Sequence, residues 1–168
     1  MQPGNRASAF SHDMVWEFER LDARFDWRVN GSDSGRIRGY VDVVGKPKDG
    51  HSGLPMIFVE AELRKDGPAS NVLKLWRWAE GRTGPKPGFV LFQAFSAVYR
   101  SAKREHRLTA EFVGRKMAAA LGPSVTYVAL NFVYSPRKGA KRGAGRRSSQ
   151  AKRLARRIAR RMAFHEAA

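Results

Sequence analysis

Two stretches that alternate apolar and polar residues, joined by a loop rich in glycine and proline, constrain the fold of this chain most strongly. Their period of two is typical of half-buried β-strands. The second stretch, residues 56–64, places Glu60 and Glu62 on one face. A hairpin through the loop sets Asp42, in the first stretch at 36–44, opposite Glu60. The pattern therefore predicts acidic side chains from two neighbouring strands on one face of a sheet.

Carboxylates crowded on one face of a sheet need a positive charge nearby to offset their mutual repulsion. Like charges directly opposite each other across two strands are destabilising, and each raises the pKa of its neighbour. The compensating positive charge is either an arginine side chain or a metal ion. A divalent hard cation prefers carboxylate oxygens and water as ligands. The alternation alone leaves both interpretations open.

The remaining hydrophobic patterns predict an α/β fold. Because a helix connects the strand at 89–95 to the strand at 56–64, we expect these two strands to be parallel. In chain order, the patterns predict a helix that begins at Ser11 and carries Met14, Phe18, Leu21 and Phe25, strands at 27–29, 36–44 and 56–64, a helix at 69–80, a strand at 89–95, a helix at 96–121 and a strand at 125–134.

Length and composition limit the class of protein. With 168 residues, of which 42 % are hydrophobic, the chain is expected to form one domain with its own core. The absence of cysteine excludes disulfides and thiolate metal sites. No apolar run resembles a signal peptide or reaches transmembrane length, which predicts a cytoplasmic protein without a membrane partner. We expect a flexible lead at 1–10, a domain at 11–135 and a basic tail at 136–168.

The net charge of +17 is concentrated near the C-terminus, where residues 137–161 contain twelve Lys or Arg and no acidic residue. Such a segment predicts a polyanionic partner, by default nucleic acid, although RNA of the ribosome or a membrane surface fits the charge equally well. We expect residues 136–149 to be flexible and residues 150–164 to form a helix. The tail residues predicted to contact nucleic acid are Arg146, Arg147, Lys152, Arg153, Arg156 and Arg157.

The order helix, three-stranded meander, helix, strand resembles the core of the PD-(D/E)xK nuclease superfamily, also called restriction-endonuclease-like. The segments VDVVG at 41–45 and FVEAE at 58–62 are similar to the two motif strands of that family. The resemblance covers roughly residues 13–95. Asp42 matches the family aspartate and Glu60 the family glutamate. Glu62 stands where most members have lysine. A subset of restriction endonucleases also carries glutamate at that position. The other alignment shifts the match by two residues.

The resemblance implies a DNA endonuclease that depends on Mg²⁺ or Mn²⁺ and acts as a homodimer. Asp42 and Glu60, with Glu62 or Glu17, would then hold the ion, which activates water for attack on a phosphodiester. Glu17 matches a first-helix glutamate of some branches such as junction resolvases, or is merely paired with Arg20 or Arg24. Lys74 is the candidate for a relocated family lysine, or is a solvated side chain. Basic residues expected to contact flanking phosphates are Arg64, Lys65, Lys74 and Arg77.

Two other functions remain open at this point. The first is a basic nucleic-acid-binding protein that has the same fold without catalysis. The second is an RNA- or ribosome-associated protein in which the acidic face only forms salt bridges with Arg36 and Arg38.

Overall fold

A computed structural model of the chain describes residues 4–29, 41–63, 67–81, 88–134 and 143–166, with the side chains of 4–8, 143–147 and 164–166 left out. The elements are helices α1 (Gly4–Leu21), α2 (Pro68–Glu80), α3 (Arg104–Leu121) and α4 (Gly143–Glu166), strands β1 (Phe25–Val29), β2 (Val43–Pro47), β3 (Met56–Glu62), β4 (Phe89–Phe95) and β5 (Val125–Asn131), and a 3₁₀ turn at Ala97–Arg100.

The five strands form one mixed sheet in which their spatial order follows the chain. Strand β1 pairs with β2, and β2 pairs with β3, in antiparallel orientation, which confirms the predicted meander. Strands β3, β4 and β5 are parallel, as expected for strands joined by helices. Their carboxyl ends are level, because Glu62, Phe95 and Asn131 are register partners. We call this border of the sheet the C-terminal edge.

Helices cover both faces of the sheet and enclose two hydrophobic cores. Successive residues of β3 face opposite cores, so that Val59 belongs to the first core and Phe58 to the second. The first core lies under α1 and α4, and the second lies under α2 and α3. The chain is thus an α/β fold with a sheet between two helix pairs.

Helix α4 is an integral part of the first core. The predicted stripe of Leu154, Ile158 and Met162 is buried against α1 and the sheet. The helix begins at Gly143, earlier than the predicted start at residue 150. Apolar residues spaced by four provide a continuous buried face, which outweighs the disordering effect of the arginines. Helix α4 therefore packs with the body of the protein.

Several other predicted boundaries need correction. Helix α1 begins at Gly4, earlier than the predicted start at Ser11, and it buries Phe10. Helix α1 ends at Leu21, and Phe25 instead begins β1. The predicted helix at 96–121 is interrupted after the 3₁₀ turn. Residues 36–40 of the predicted first motif strand lie outside the described residues.

Trp27 ties the edge of the sheet to α1. Its ring stacks on Phe18 with centroids 4.3 Å apart. Its register partner on β2 is Gly45, where a Cβ atom would lie 2.6 Å from the indole. Glycine is therefore required for this close approach.

Within the described ranges, no helix has the length and apolar character needed to cross a bilayer.

Candidate active site and basic surface

Asp42 lies beside Glu60 at the point where β2 separates from β3. The two strands pair Val43 with Val59, and one further step in this register sets Asp42 opposite Glu60. The Asp42 amide donates to the Val59 carbonyl at 2.9 Å, and Asp42 Oδ2 accepts from the Ala61 amide at 2.8 Å. These two bonds bracket Glu60 from either side. The backbone pairing over Val43–Gly45 agrees with the predicted register of the hairpin.

The end of the β2–β3 ladder explains the conformation of Asp42. The ladder covers only Val43–Gly45 of β2, so the Ala61 amide extends beyond its last backbone partner. A buried backbone N–H requires an acceptor. The Asp42 carboxylate supplies it, which fixes one of its oxygens against β3.

Glu60 and Glu62 lie on the side of the sheet that α2 covers. Glu60 is 3 % exposed and accepts a hydrogen bond from Asn71 Nδ2 of α2 at 2.6 Å. Glu62 is fully buried and accepts one from Gln93 Nε2 of β4 at 2.9 Å. Both carboxylates are thus held by amide side chains from neighbouring elements.

Gln93 connects Glu62 to the surrounding elements. Its Nε2 also donates to the carbonyl of Pro68, the first residue of α2, at 3.0 Å. Its Oε1 accepts from the Tyr127 hydroxyl of β5 at 2.8 Å. Burial, followed by the charge of Glu111, raises the pKa of Tyr127, so this hydroxyl stays protonated and keeps donating. The Tyr127 ring lies over Gly114 of α3, where a Cβ atom would be 2.3 Å away.

Neither Asn71 nor Gln93 was among the predicted site residues. Gln93 had a signal in the sequence, because it is the one polar residue in the apolar run FVLFQAF at 89–95. A polar side chain in a strand that is buried on both faces needs a partner there. Asn71 had a weaker signal, since it shares a helix stripe with Lys74.

The predicted metal ligands Asp42, Glu60 and Glu62 have different surroundings. Among the described residues, no group of three or more His, Cys, Asp or Glu is arranged to hold a metal ion. Glu62 is engaged by Gln93, whereas Asp42 and Glu60 lie side by side. Magnesium is usually held by one or two carboxylates with several waters retained. The donor chemistry of the Asp42–Glu60 pair therefore fits a divalent hard cation.

Glu17 lies elsewhere, and its predicted place in the metal site is corrected. It is 1 % exposed on α1, in the layer on the opposite face of the sheet from α2. Its Oε1 accepts from Arg156 Nε of α4 at 2.7 Å, and its Oε2 accepts from Arg20 at 3.3 Å. The alternative interpretation, a carboxylate paired with Arg20, is the one the structure bears out.

The pKa of Glu17 reflects two opposing effects. Burial alone would raise the pKa, but the hydrogen bond and charge of Arg156, together with the charges of Arg20 and Lys152, hold it below the ordinary value. Glu17 is therefore ionised at neutral pH and serves to dock α4 on α1.

Lys74 is not brought to the carboxylates either. It is exposed on α2, one turn beyond Asn71, and forms no hydrogen bond or ion pair within the described part of the chain. Asn71 occupies the position next to Glu60. Arg77 is also exposed on α2. Arg64 and Lys65 lie outside the described residues, so their predicted phosphate contacts stay predictions.

A basic surface runs along α4. A hollow of about 460 Å³ is lined by four arginines, Arg153, Arg157, Arg160 and Arg161. Arg157 also donates to the backbone carbonyl of Asn131 at 2.5 Å, which places this surface at the C-terminal edge of the sheet. Arg160 and Arg161 were missed by the sequence prediction, although residues 153, 157 and 161 are spaced by four.

The other predicted basic contacts have different surroundings. Arg156 is committed to Glu17, and Lys152 lies 4.1 Å from the centroid of the Trp16 ring. The side chains of Arg146 and Arg147 are not among those described. Of the predicted tail contacts, Arg153 and Arg157 are therefore the two found in the arginine-lined hollow.

Comparisons of this chain with protein-family models, with curated proteins and with solved structures found no match. The resemblance to PD-(D/E)xK nucleases thus rests on the order of elements and on the two motif segments.

Proposed function

We propose that this protein is a DNA endonuclease with a restriction-endonuclease-like core that depends on Mg²⁺ or Mn²⁺. The observation that carries the proposal is the position of Asp42, whose backbone and side chain bracket Glu60 on the neighbouring strand. The order α1, β1, β2, β3, α2, β4 agrees with the core that the resemblance implies. The predicted homodimer remains a prediction, which light scattering of the purified protein tests.

In this proposal, Asp42 and Glu60 hold the ion and their neighbours orient them. Bound Mg²⁺ supplies activation of water and stabilisation of the negative charge that develops on the phosphate. The Ala61 amide fixes one oxygen of Asp42, and Asn71 fixes one oxygen of Glu60. Because α2 and β3 carry these donors, the two carboxylates are set by rigid elements before the substrate binds.

The arginines of α4 hold the DNA near the carboxylates. Adjacent strands of a sheet are separated by about 4.8 Å, so two steps from β3 to β5 span roughly 10 Å. Arg157 contacts the backbone at Asn131, the register position two strands from Glu62. Because α4 covers the opposite face of the sheet from α2, these arginines would contact DNA that passes over this edge of the sheet, and they would provide position without reading sequence.

A cleavage assay with isosteric variants tests the proposal. Wild type and Asp42→Asn are incubated with supercoiled, linear and branched DNA in Mg²⁺, Mn²⁺ or EDTA. An asparagine oxygen still accepts from the Ala61 amide, so the fold is expected to persist. Asp26→Asn is the matched control, because Asp26 is a half-exposed strand carboxylate paired with Arg28. We expect cleavage by wild type and Asp26→Asn, and binding without cleavage by Asp42→Asn.

A second candidate function is nucleic-acid binding without catalysis. It is favoured by the lack of a three-carboxylate group in the described ranges and by the amide partner of Glu62. Under this alternative, wild type binds DNA but cleaves no substrate with any divalent ion, and Asp42→Asn binds equally well.

A further inference from the structure

An exposed aromatic ring lies next to two cations where α1 meets α4. The side chain of Trp16 is 48 % exposed, although tryptophan is usually well buried. The guanidinium carbon of Arg20 lies 5.1 Å from the ring centroid, and Lys152 Nζ lies 4.1 Å from it. The ring keeps a solvent-exposed surface within a cationic environment.

This ring adjoins the basic half of α4. At about 3.6 residues per turn, positions 152, 156, 160, 153, 157 and 161 follow one another around one side of the helix. The buried positions 151, 154, 155, 158 and 162 form the other side. At one border of the basic side, Lys152 lies over the Trp16 ring. Toward the other border, Arg157 donates to the Asn131 carbonyl. A continuous basic band therefore connects the C-terminal edge of the sheet to Trp16.

An aromatic ring at the end of a basic band matches the requirements of single-stranded nucleic acid. Proteins that bind single strands combine a positively charged track for the phosphates with aromatic side chains on which bases stack. A base inside a continuous duplex is stacked on its neighbours and presents only its edges in the grooves. An unpaired base can place its face on the indole.

We infer that Trp16 stacks an unpaired base while Lys152 contacts the adjoining phosphate. This inference rests on the proposed nucleic-acid function and adds the class of substrate to it, namely DNA that contains a single-stranded segment. A single strand that passes over the C-terminal edge of the sheet would cross the arginines of α4 and reach Trp16 with its base unpaired.

Binding measurements with three DNA probes test this inference. The 168-residue chain is titrated in EDTA, which prevents cleavage, against a fluorescent single strand, its duplex and the same strand with abasic positions. The variants are Trp16→Ala, Trp16→Phe and a matched control, Phe112→Ala. Phe112 is a 56 % exposed helix aromatic with Lys116 at 5.7 Å from its ring centroid, and it lies on α3 across the sheet.

The expected losses are selective. Trp16→Ala weakens single-strand binding by about 5- to 100-fold, the range of one stacked base, and leaves duplex binding unchanged. Trp16→Phe retains a ring and recovers most of the affinity. The abasic strand binds wild type weakly and does not respond to Trp16→Ala. Phe112→Ala binds all three probes like wild type.

The opposite results separate this inference from the function on which it rests. Equal effects of Trp16→Ala on single strand and duplex, or no effect on either, overturn the stacking role even where Asp42→Asn still abolishes cleavage. In that case Trp16 is a packing contact, or a site for a protein partner. Failure of wild type to bind any probe overturns the nucleic-acid function itself. If Trp16→Ala unfolds, the comparison of Trp16→Phe with wild type on intact and abasic strands decides the question.

Discussion

Two buried carboxylate environments on opposite faces of the sheet are compensated in different ways. On the α1–α4 side, Glu17 is 1 % exposed and is bound by the guanidinium groups of Arg156 and Arg20. On the α2 side, the described hydrogen bonds to Glu60 and Glu62 come from the amides of Asn71 and Gln93. A guanidinium neutralises a carboxylate, whereas an amide orients it and leaves its charge in place.

The difference separates a structural carboxylate from a candidate ligand. Glu17 satisfies its charge inside the protein, and in doing so it holds the basic helix against α1. Glu60, with Asp42 beside it, presents carboxylate oxygens of the kind that a divalent hard cation prefers as ligands. Local sequence alone made both glutamates candidates, and only their partners distinguish them.

The largest expected effect is on the rate of DNA cleavage, and it tests the role of Glu60 against that of Glu17. Glu60→Gln keeps an oxygen for the Asn71 amide but removes the charge, so DNA cleavage should fall by about 100-fold or more, as expected for losing several kcal/mol of ion-mediated stabilisation. Glu17→Gln should change the cleavage rate by less than about 3-fold below its melting temperature, because Glu17 lies in the other layer. Initial rates of plasmid nicking measure both. Equal losses in the two variants would contradict the distinction.

The next effect concerns stability and compares two arginines of α4. Arg156→Met leaves the buried Glu17 with Arg20 as its hydrogen-bonded partner, and we expect a loss of about 1–3 kcal/mol in the free energy of unfolding. Arg153→Met, on the exposed side of the helix, should stay within about 0.5 kcal/mol. Urea titrations provide both values.

The same pair should behave in the opposite way toward DNA. Arg153→Met should reduce the slope of log K against log salt by about 0.9 on duplex DNA, the value for one phosphate contact. Arg156→Met should leave that slope nearly unchanged, since its guanidinium is committed to Glu17. A larger slope change in Arg156→Met than in Arg153→Met would show that DNA contacts Arg156 rather than Arg153, and it would contradict this prediction.

The smallest effect is a pH dependence that arises from Glu17. Its pKa is lower in the folded protein than the ordinary value of 4.5, so its ionised form stabilises the fold. This contribution is complete above pH 4.5 and is lost as the pH falls through the folded pKa. The difference in melting temperature between wild type and Glu17→Gln should therefore shrink on acidification below pH 4.5. A difference that grows as the pH falls would show that the carboxylate is protonated in the fold.

The sequence predicted the sheet near the candidate site because local patterns determine it. Alternation through 56–62 and the apolar run at 89–95 depend on burial of neighbouring residues, and both strands were found. The Asp42–Glu60 register follows from the length of the hairpin loop, which is also local. Strand β4 begins and ends where predicted, at Phe89 and Phe95.

The parts that depend on distant partners could not be predicted. The hydrogen bond that defines Glu17 comes from Arg156, 139 residues away. The apolar stripe of α4 is local, but nothing in that segment shows that α1 and the sheet provide the surface on which Leu154 and Ile158 pack. Glu62 was grouped with Asp42 and Glu60 from strand alternation, but Gln93 on a neighbouring strand binds it. In each case tertiary contact decided between roles that local spacing left equal.

Binding of Mn²⁺ to four proteins most directly tests the claim that Asp42 and Glu60 together hold one divalent ion. Free Mn²⁺ is measured by electron paramagnetic resonance as the metal is titrated into wild type, Asp42→Asn, Glu60→Gln and Glu17→Gln. The account predicts one bound ion per chain in wild type and in Glu17→Gln, and loss of that ion in the other two. No bound ion in wild type, or equal binding by all four proteins, would contradict it.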